Sequence, residues 1–211
     1  MQRIFILLPM VALTILIMFL YGCSHSTEPE KTVEPDSTGG PVVRKPNIYI
    51  YPTETCSVTI KLEFPLGGKI IDSEPVYNDG WSVKVKTSGK IDDEYDYLYY
   101  EAKCPEVYQY DAGWIVTKDS LNEFFSGNLR HAGFNEKENA DFREYWIPKL
   151  VDHKYYIIYP QYSRDIQKII RLKSSIKPDN ILRLFYVIKG INSRKEGLPA
   201  PVRIPSFNRN G

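Results

Sequence analysis

The densest group of side chains that could do chemistry is an acidic run near the middle of the chain. It consists of Asp92, Asp93 and Glu94, followed by Asp96. Carboxylates this close together could bind Ca²⁺, although the run lacks the Asp-x-Asp-x-Asp-Gly order of a calcium-binding loop. The same residues could supply the acid and the base of a glycoside hydrolase. The alternative interpretation is a solvated turn before a strand.

Few other side chains form a pattern typical of catalysis. The histidines His25, His131 and His153 lie far apart, and the chain has no Gly-x-Ser-x-Gly motif. We therefore identify no nucleophile beside a base and assign structural roles to the histidines. Trp81 follows a turn and could stack on a ligand at a loop rim, or it could begin the buried face of the next strand. The sequence predicts no catalytic residue, no metal site and no cofactor.

The N-terminal segment, residues 1–22, has the layout of a bacterial lipoprotein signal peptide. Arg3 gives a positive start, residues 4–20 are almost all apolar, and the segment ends with Gly22 before Cys23. A small residue is required before the cut, and Cys23 would then carry the lipid. The alternative is an uncleaved helix, because the apolar run approaches the length that spans a bilayer.

Lipidation of Cys23 makes a lipid membrane the first expected partner and the cell envelope the expected location. Ser24 follows the cysteine, where an Asp would commonly signal retention in the inner membrane of a Gram-negative cell. The sequence therefore favours a lipid-anchored protein of the outer membrane if the host is Gram-negative.

The two remaining cysteines, Cys56 and Cys104, form an even pair once Cys23 carries lipid. Exported domains permit disulfides, and this one would close a loop of about 50 residues and stabilise the fold by ~4 kcal/mol on the chain-entropy model. Two independent thiols are the alternative. A zinc site is disfavoured, because no Cys-x-x-Cys or histidine cluster completes a ligand set.

The balance of charge and the aromatic content indicate which classes of partner the protein could bind. The chain has 27 Lys and Arg against 26 Asp and Glu, and this balance argues against a nucleic-acid-binding protein, which needs a basic face. It also has 16 Tyr, 9 Phe and 3 Trp. Tyrosine-rich segments favour half-buried strands, and the alternative is an exposed aromatic platform for sugar rings.

Hydrophobic periodicity divides the rest of the chain. Residues 23–44 carry Pro and Gly without any period, which predicts a disordered tether. Residues 45–191 predict a single domain, and residues 192–211 a polar, Pro-rich tail. Alternation of apolar and polar residues predicts several one-faced strands, including 57–64 and 81–86.

A helical hairpin interrupts the strands. Ser120 with Glu123 and Asn135 with Glu138 have the spacing of capping boxes, and Gly133 is placed to end the first helix. Further strands are predicted at residues 155–159, 166–172 and 181–188, the last of them central in its sheet. The predicted fold is therefore α+β: an antiparallel sheet or sandwich with an inserted helical hairpin, preceded by a signal peptide and a disordered tether.

Several stretches together resemble an uncharacterised family of bacterial envelope proteins. They are residues 45–52 (KPNIYIYP), 77–81 (YNDGW), 135–138 leading to 145–148 (NEKE, YWIP), and 177–180 (KPDN). The resemblance covers about residues 45–188 and implies one domain without an assigned activity, so it transfers no catalytic residue. We predict a non-catalytic binding or structural module with an envelope glycan or protein as its partner. The alternative is a glycan hydrolase that uses the acidic run.

Overall fold

The computed structural model describes residues 42–201 and residue 207 of the chain. The predicted signal peptide, Cys23 and most of the predicted tether lie outside these described residues. Within them, antiparallel strands alternate with helices, so the predicted α+β class is confirmed. No helix in this part of the chain is both long enough and apolar enough to cross a membrane.

Strands form most of the regular structure between residues 42 and 201. They are β1 (Val42–Val43), β2 (Asn47–Ile48), β3 (Cys56–Glu63), β4 (Lys69–Glu74), β5 (Trp81–Val85), β6 (Leu98–Lys103), β7 (Trp114–Thr117), β8 (Tyr155–Tyr162), β9 (Arg171–Ser174) and β10 (Leu184–Ile191). The helices are α1 (Leu121–Ala132), α2 (Glu136–Trp146) and α3 (Ser163–Ile169), with 3₁₀ turns at Lys118–Ser120 and Ile147–Lys149.

The first sheet is built around strand β6. Strands β1 and β2 both pair with β6, and β4 pairs with it over the same residues, so β4 occupies the opposite edge. From Val43 to Asn47 the chain advances four positions, while the partner strand advances three, from Ala102 to Tyr99. The extra residue is a β-bulge between β1 and β2, and it includes Lys45.

The second sheet has the order β5-β3-β9 and presents one apolar face to the core. The predicted alternation is confirmed, since every second residue of β5 is buried and the residues between them are exposed. The core on this face combines β3, β5 and β6 with Ile169 and Ile170, which lie at the end of α3.

The third sheet has the order β10-β8-β7 and packs against the helical hairpin. Strand β8 lies in the centre, and six of its eight residues are buried. The predicted central position of residues 181–188 is wrong, because β10 lies at an edge of this sheet. Leu121, Phe125 and Leu129 of α1 fill the core between the helices and the sheet.

Local capping signals explain the ends of the helices. Gly133 adopts a φ of 105° and ends α1, and the Phe134 amide donates to the Leu129 carbonyl at 3.0 Å. Asn135 and Glu138 form the predicted capping box of α2. The box predicted at Ser120 is wrong, because its hydroxyl instead accepts a hydrogen bond from the Thr117 hydroxyl.

The structure corrects three predicted boundaries. Residues 166–172 begin as helix α3, because Ile166, Ile169 and Ile170 are buried at helical spacing. Val42–Val43 belong to the first sheet although they fall within the predicted tether. The predicted tail also contacts the domain, since the Gly113 amide donates to the Pro199 carbonyl at 3.0 Å.

Candidate functional site

The acidic run lies in a tight turn after strand β5. Asp92 and Asp93 have φ values of 49° and 63°, which Asp tolerates better than most residues. One carboxylate oxygen of Asp92 accepts a hydrogen bond from the Lys84 amide at 2.8 Å. The run therefore builds a turn before β6, as the alternative interpretation of the sequence proposed.

Two of the other carboxylates in this turn form ion pairs with lysine side chains. Asp93 pairs with Lys86, and Asp96 pairs with Lys90 at 3.1 Å and with Lys137 at 3.3 Å. The hydrogen bond from Lys86 lowers the pKa of Asp93, and the one from Lys90 lowers the pKa of Asp96. A general acid in glycoside cleavage needs a raised pKa. The pKa values of these two carboxyls are shifted in the opposite direction.

The remaining carboxyl of the run, Glu94, is exposed at the same turn, where its backbone amide donates to the Ile91 carbonyl at 3.0 Å. Within residues 42–201 no three His, Cys, Asp or Glu side chains are grouped so that they could hold a metal ion.

Trp81 is a core residue and does not stand at a loop rim. Its side chain is 2 % exposed, its indole N–H donates to the Pro75 carbonyl at 2.7 Å, and its ring packs against Tyr77. The structure therefore agrees with the interpretation of Trp81 as the start of the buried face of its strand, and not with the alternative of stacking on a ligand.

The two described cysteines are free thiols, so the predicted Cys56–Cys104 disulfide is not formed in the structure. Cys56 begins β3 opposite Val85 in the second sheet, whereas Cys104 lies just beyond β6 of the first sheet and is buried. Burial raises the pKa of the Cys104 thiol to about 11. This thiol is thus mostly protonated at neutral pH and a poor nucleophile.

The histidines have separate positions. His131 lies in the last turn of α1, where a cation complements the helix dipole. The His153 ring lies against Gly190 and contacts the Tyr156 ring edge-on, with 5.9 Å between ring centroids. His25 lies outside the described residues. The two described histidines therefore do not form a shared site.

A group of polar and aromatic side chains converges where residues of the first sheet contact α2. The Lys45 ammonium lies 5.3 Å from the Tyr97 ring centroid, 4.5 Å from that of Tyr99 and 5.2 Å from that of Tyr145. The Lys149 ammonium lies 4.4 Å from the Tyr145 centroid. We call these five residues the tyrosine–lysine cluster, and each Lys–Tyr contact is within cation–π range.

A network of hydrogen bonds flanks this cluster. The Tyr49 hydroxyl donates to Asp141 at 2.7 Å, and Asn47 donates to the Tyr49 hydroxyl at 3.2 Å. Lys137 pairs with Asp141 at 3.1 Å, which holds that carboxylate in place. The Asn47 side-chain oxygen is buried and has no hydrogen-bond partner in the structure. An unpaired buried acceptor is costly, so this atom is a position where a ligand or a water could donate.

Two tyrosine hydroxyls at this site, those of Tyr49 and Tyr99, have a raised pKa. Burial raises the pKa of Tyr49 far above its ordinary value, and the hydrogen bond to Asp141 adds to the shift. Burial and the nearby Glu101 carboxylate raise the pKa of Tyr99. These hydroxyls therefore act as neutral donors and acceptors across the physiological pH range.

Sequence reasoning did not identify the tyrosine–lysine cluster. Two of the stretches that carry the family resemblance, residues 45–52 and 145–148, meet here, but they are far apart in the chain. Tyrosine-rich segments favour half-buried strands, and Tyr99 of the cluster does lie in strand β6, whereas Tyr97 precedes it and Tyr145 lies in α2. The signal was the high tyrosine content, whose alternative interpretation was a platform for sugar rings.

We compared the chain with protein-family models, with curated proteins and with solved structures, and none of the three comparisons gave a match. The resemblance to the uncharacterised envelope family therefore stays a prediction.

Proposed function

We propose that this protein is a lipid-anchored module of the bacterial cell envelope that binds envelope glycan without cleaving it. The tyrosine–lysine cluster carries the proposal, because three half-buried tyrosine rings and two ammonium groups from separate parts of the chain converge there. Binding sites for small molecules combine aromatic walls with a few placed polar groups. The N-terminal signal and Cys23 support the envelope location.

A sugar ring suits this chemistry better than an apolar ligand does. Tyrosine rings offer apolar faces to the C–H groups of a sugar, while their hydroxyls stay able to hydrogen-bond. Asn47 and Asp141 add side-chain amide and carboxylate groups beside the rings. The lysine-paired carboxyls of the acidic run support binding over hydrolysis, because Asp93 and Asp96 have lowered pKa values.

Replacing Tyr97 or Tyr145 by Ala should weaken retention of the protein on isolated cell-wall glycan by about tenfold, because each change removes an aromatic contact surface. The measurement is co-sedimentation of the full-length protein, purified in detergent, with insoluble glycan. The matched control is Tyr110→Ala, which removes an exposed tyrosine that contacts Tyr159 and Glu106 instead. Equal retention of all variants and wild type would contradict the proposed surface.

Soluble products should be assayed in the same tubes. Release of glycan fragments by the wild type, lost in Asp93→Asn or Asp96→Asn, would replace the proposal with the hydrolase alternative. Retention without release is the result expected.

Replacing Cys23 by Ala should abolish incorporation of labelled palmitate. The Cys23 thiol is the proposed acceptor of the lipid, so no other side chain should be labelled. Cys56→Ala is the matched control and should keep full label. Equal labelling of wild type and Cys23→Ala would leave an uncleaved apolar helix as the anchor.

A further inference from the structure

The backbone at Lys45 is arranged unusually for a lysine. Lys45 lies in the bulge between β1 and β2 and has a φ of 52°, in the left-handed region that lysine seldom adopts. Bulges often re-aim a side chain near a functional site, and strained backbone positions concentrate at such sites. Here the bulge accompanies a lysine whose ammonium lies over three tyrosine rings.

The two lysines of the tyrosine–lysine cluster share one ring. Lys45 and Lys149 both lie over Tyr145, yet among the described residues neither forms an ion pair with a carboxylate. Lys137, at the border of the cluster, differs because it pairs with both Asp96 and Asp141. Two carboxylates lie beside Tyr99 without pairing with either lysine: Asp72 accepts from the Tyr99 hydroxyl at 3.3 Å, and Glu101 contributes, after burial, to the raised pKa of Tyr99. Two ammonium groups that contact one ring, neither of them in an ion pair with a described residue, favour an anion close to both.

We propose that Lys45 and Lys149, with the hydroxyl of Tyr97, bind the phosphoryl group of a sugar phosphate. This inference rests on the proposed function and names the group on the glycan that is recognised. A phosphoryl group carries up to two negative charges and several acceptor oxygens, so it can accept hydrogen bonds from both ammonium groups at once. The Tyr97 hydroxyl lies 3.4 Å from the Lys45 ammonium and is placed to join them.

The flanking rings give this site a preference for a sugar-linked phosphate over the free ion. Tyr49 packs edge-on against Tyr97 with 5.3 Å between ring centroids, which adds a further aromatic ring beside the cluster. A sugar attached to the phosphate would lie along these rings. Inorganic phosphate would occupy only the cationic end and should bind more weakly.

The test is calorimetric titration of the full-length protein in detergent with glucose 1-phosphate, with glucose, and with inorganic phosphate. Wild type should bind the sugar phosphate most tightly and glucose least. Lys45→Gln and Lys149→Gln should each weaken sugar-phosphate binding by about tenfold, which is the value of one charge-assisted hydrogen bond. Lys189→Gln is the matched control, because it removes the same charge from an exposed position on β10 and should change binding little.

A second variant separates binding from folding. Lys45→Gly removes the ammonium at a backbone position that glycine adopts without strain. Its midpoint of thermal unfolding should equal or exceed that of wild type, while its binding of glucose 1-phosphate falls as in Lys45→Gln. Unchanged binding in Lys45→Gly and Lys149→Gln would overturn the inference.

Vesicles distinguish the source of the phosphoryl group. Binding to phosphatidylglycerol vesicles that both lysine variants lose, without any binding of glucose 1-phosphate, would overturn the sugar assignment in favour of a lipid headgroup. A different result would overturn the proposed function. Retention on glycan that is insensitive to both lysine variants overturns the phosphoryl site alone, whereas absence of retention for wild type overturns glycan binding itself.

Discussion

Replacing Phe125 by Ala should lower the free energy of unfolding by about 3–5 kcal/mol, the usual cost of removing a buried aromatic ring. Phe125 is fully buried in the core under the helical hairpin. Its ring contacts those of Phe124, Phe142 and Tyr186, with centroid distances of 5.3, 4.9 and 5.3 Å. The substitution would leave a cavity between the two helices and the third sheet. Filling that cavity would require the helices or the sheet to shift.

Chemical denaturation followed by far-UV circular dichroism measures this loss. Phe124→Ala is the matched control, since the same change one residue earlier removes a ring that is only partly buried. Phe124→Ala should lower the free energy of unfolding by clearly less than Phe125→Ala does. Equal costs for the two variants would show that burial of Phe125 is not what stabilises the hairpin.

Replacing Gly190 by Ala should also lower the free energy of unfolding, through overpacking instead of a cavity. Gly190 lies opposite Tyr156 in the β10–β8 pairing. A Cβ there would lie 2.0 Å from His153 Cδ2 and 2.4 Å from Cγ, well inside van der Waals contact. The imidazole has to leave its position against the strand, and overpacking of this kind costs about 1–3 kcal/mol and sometimes more.

The cause can be isolated with a double mutant. His153→Ala should restore most of the stability lost in Gly190→Ala, so the two changes should be strongly non-additive in denaturation experiments. Gly127→Ala is a matched control on helix α1, because a Cβ there meets nothing within 4 Å. Additive losses from Gly190→Ala and His153→Ala would show that the ring and the glycine are not in conflict.

Local features of the fold could be predicted from the sequence. The alternation in Trp81–Val85 gave the buried face of β5 correctly, and the Asn135–Glu138 box fixed the start of α2. Both signals lie within a few residues of the structure they determine. Residues 166–172 were misassigned because a run rich in isoleucine satisfies a strand as well as a short helix, and only the buried spacing separates them.

The tyrosine–lysine cluster could not be predicted, because it depends on which distant segments become neighbours. Lys45 reaches Tyr97 and Tyr99 through the pairing of β2 with β6, and it reaches Tyr145 because α2 packs beside that sheet. Side-chain periodicity reports which face of a strand is buried, but it does not report the partner along each edge. The bulge at Lys45 depends on the same pairing and has no local glycine signal.

The short pairing of Val42 and Val43 with Lys103 and Ala102 has a mechanical consequence. Under the proposed anchoring, any tension between the membrane and the domain reaches the described fold first at Val42. Only these two residue pairs precede the bulge, which separates them from the pairs made by Asn47 and Ile48. A pulling force on the anchor should therefore detach β1 first, and the bulge that carries Lys45 would then be held to the sheet only through β2. Force on the anchor would in this way act on the proposed binding surface before it acts on the rest of the sheet.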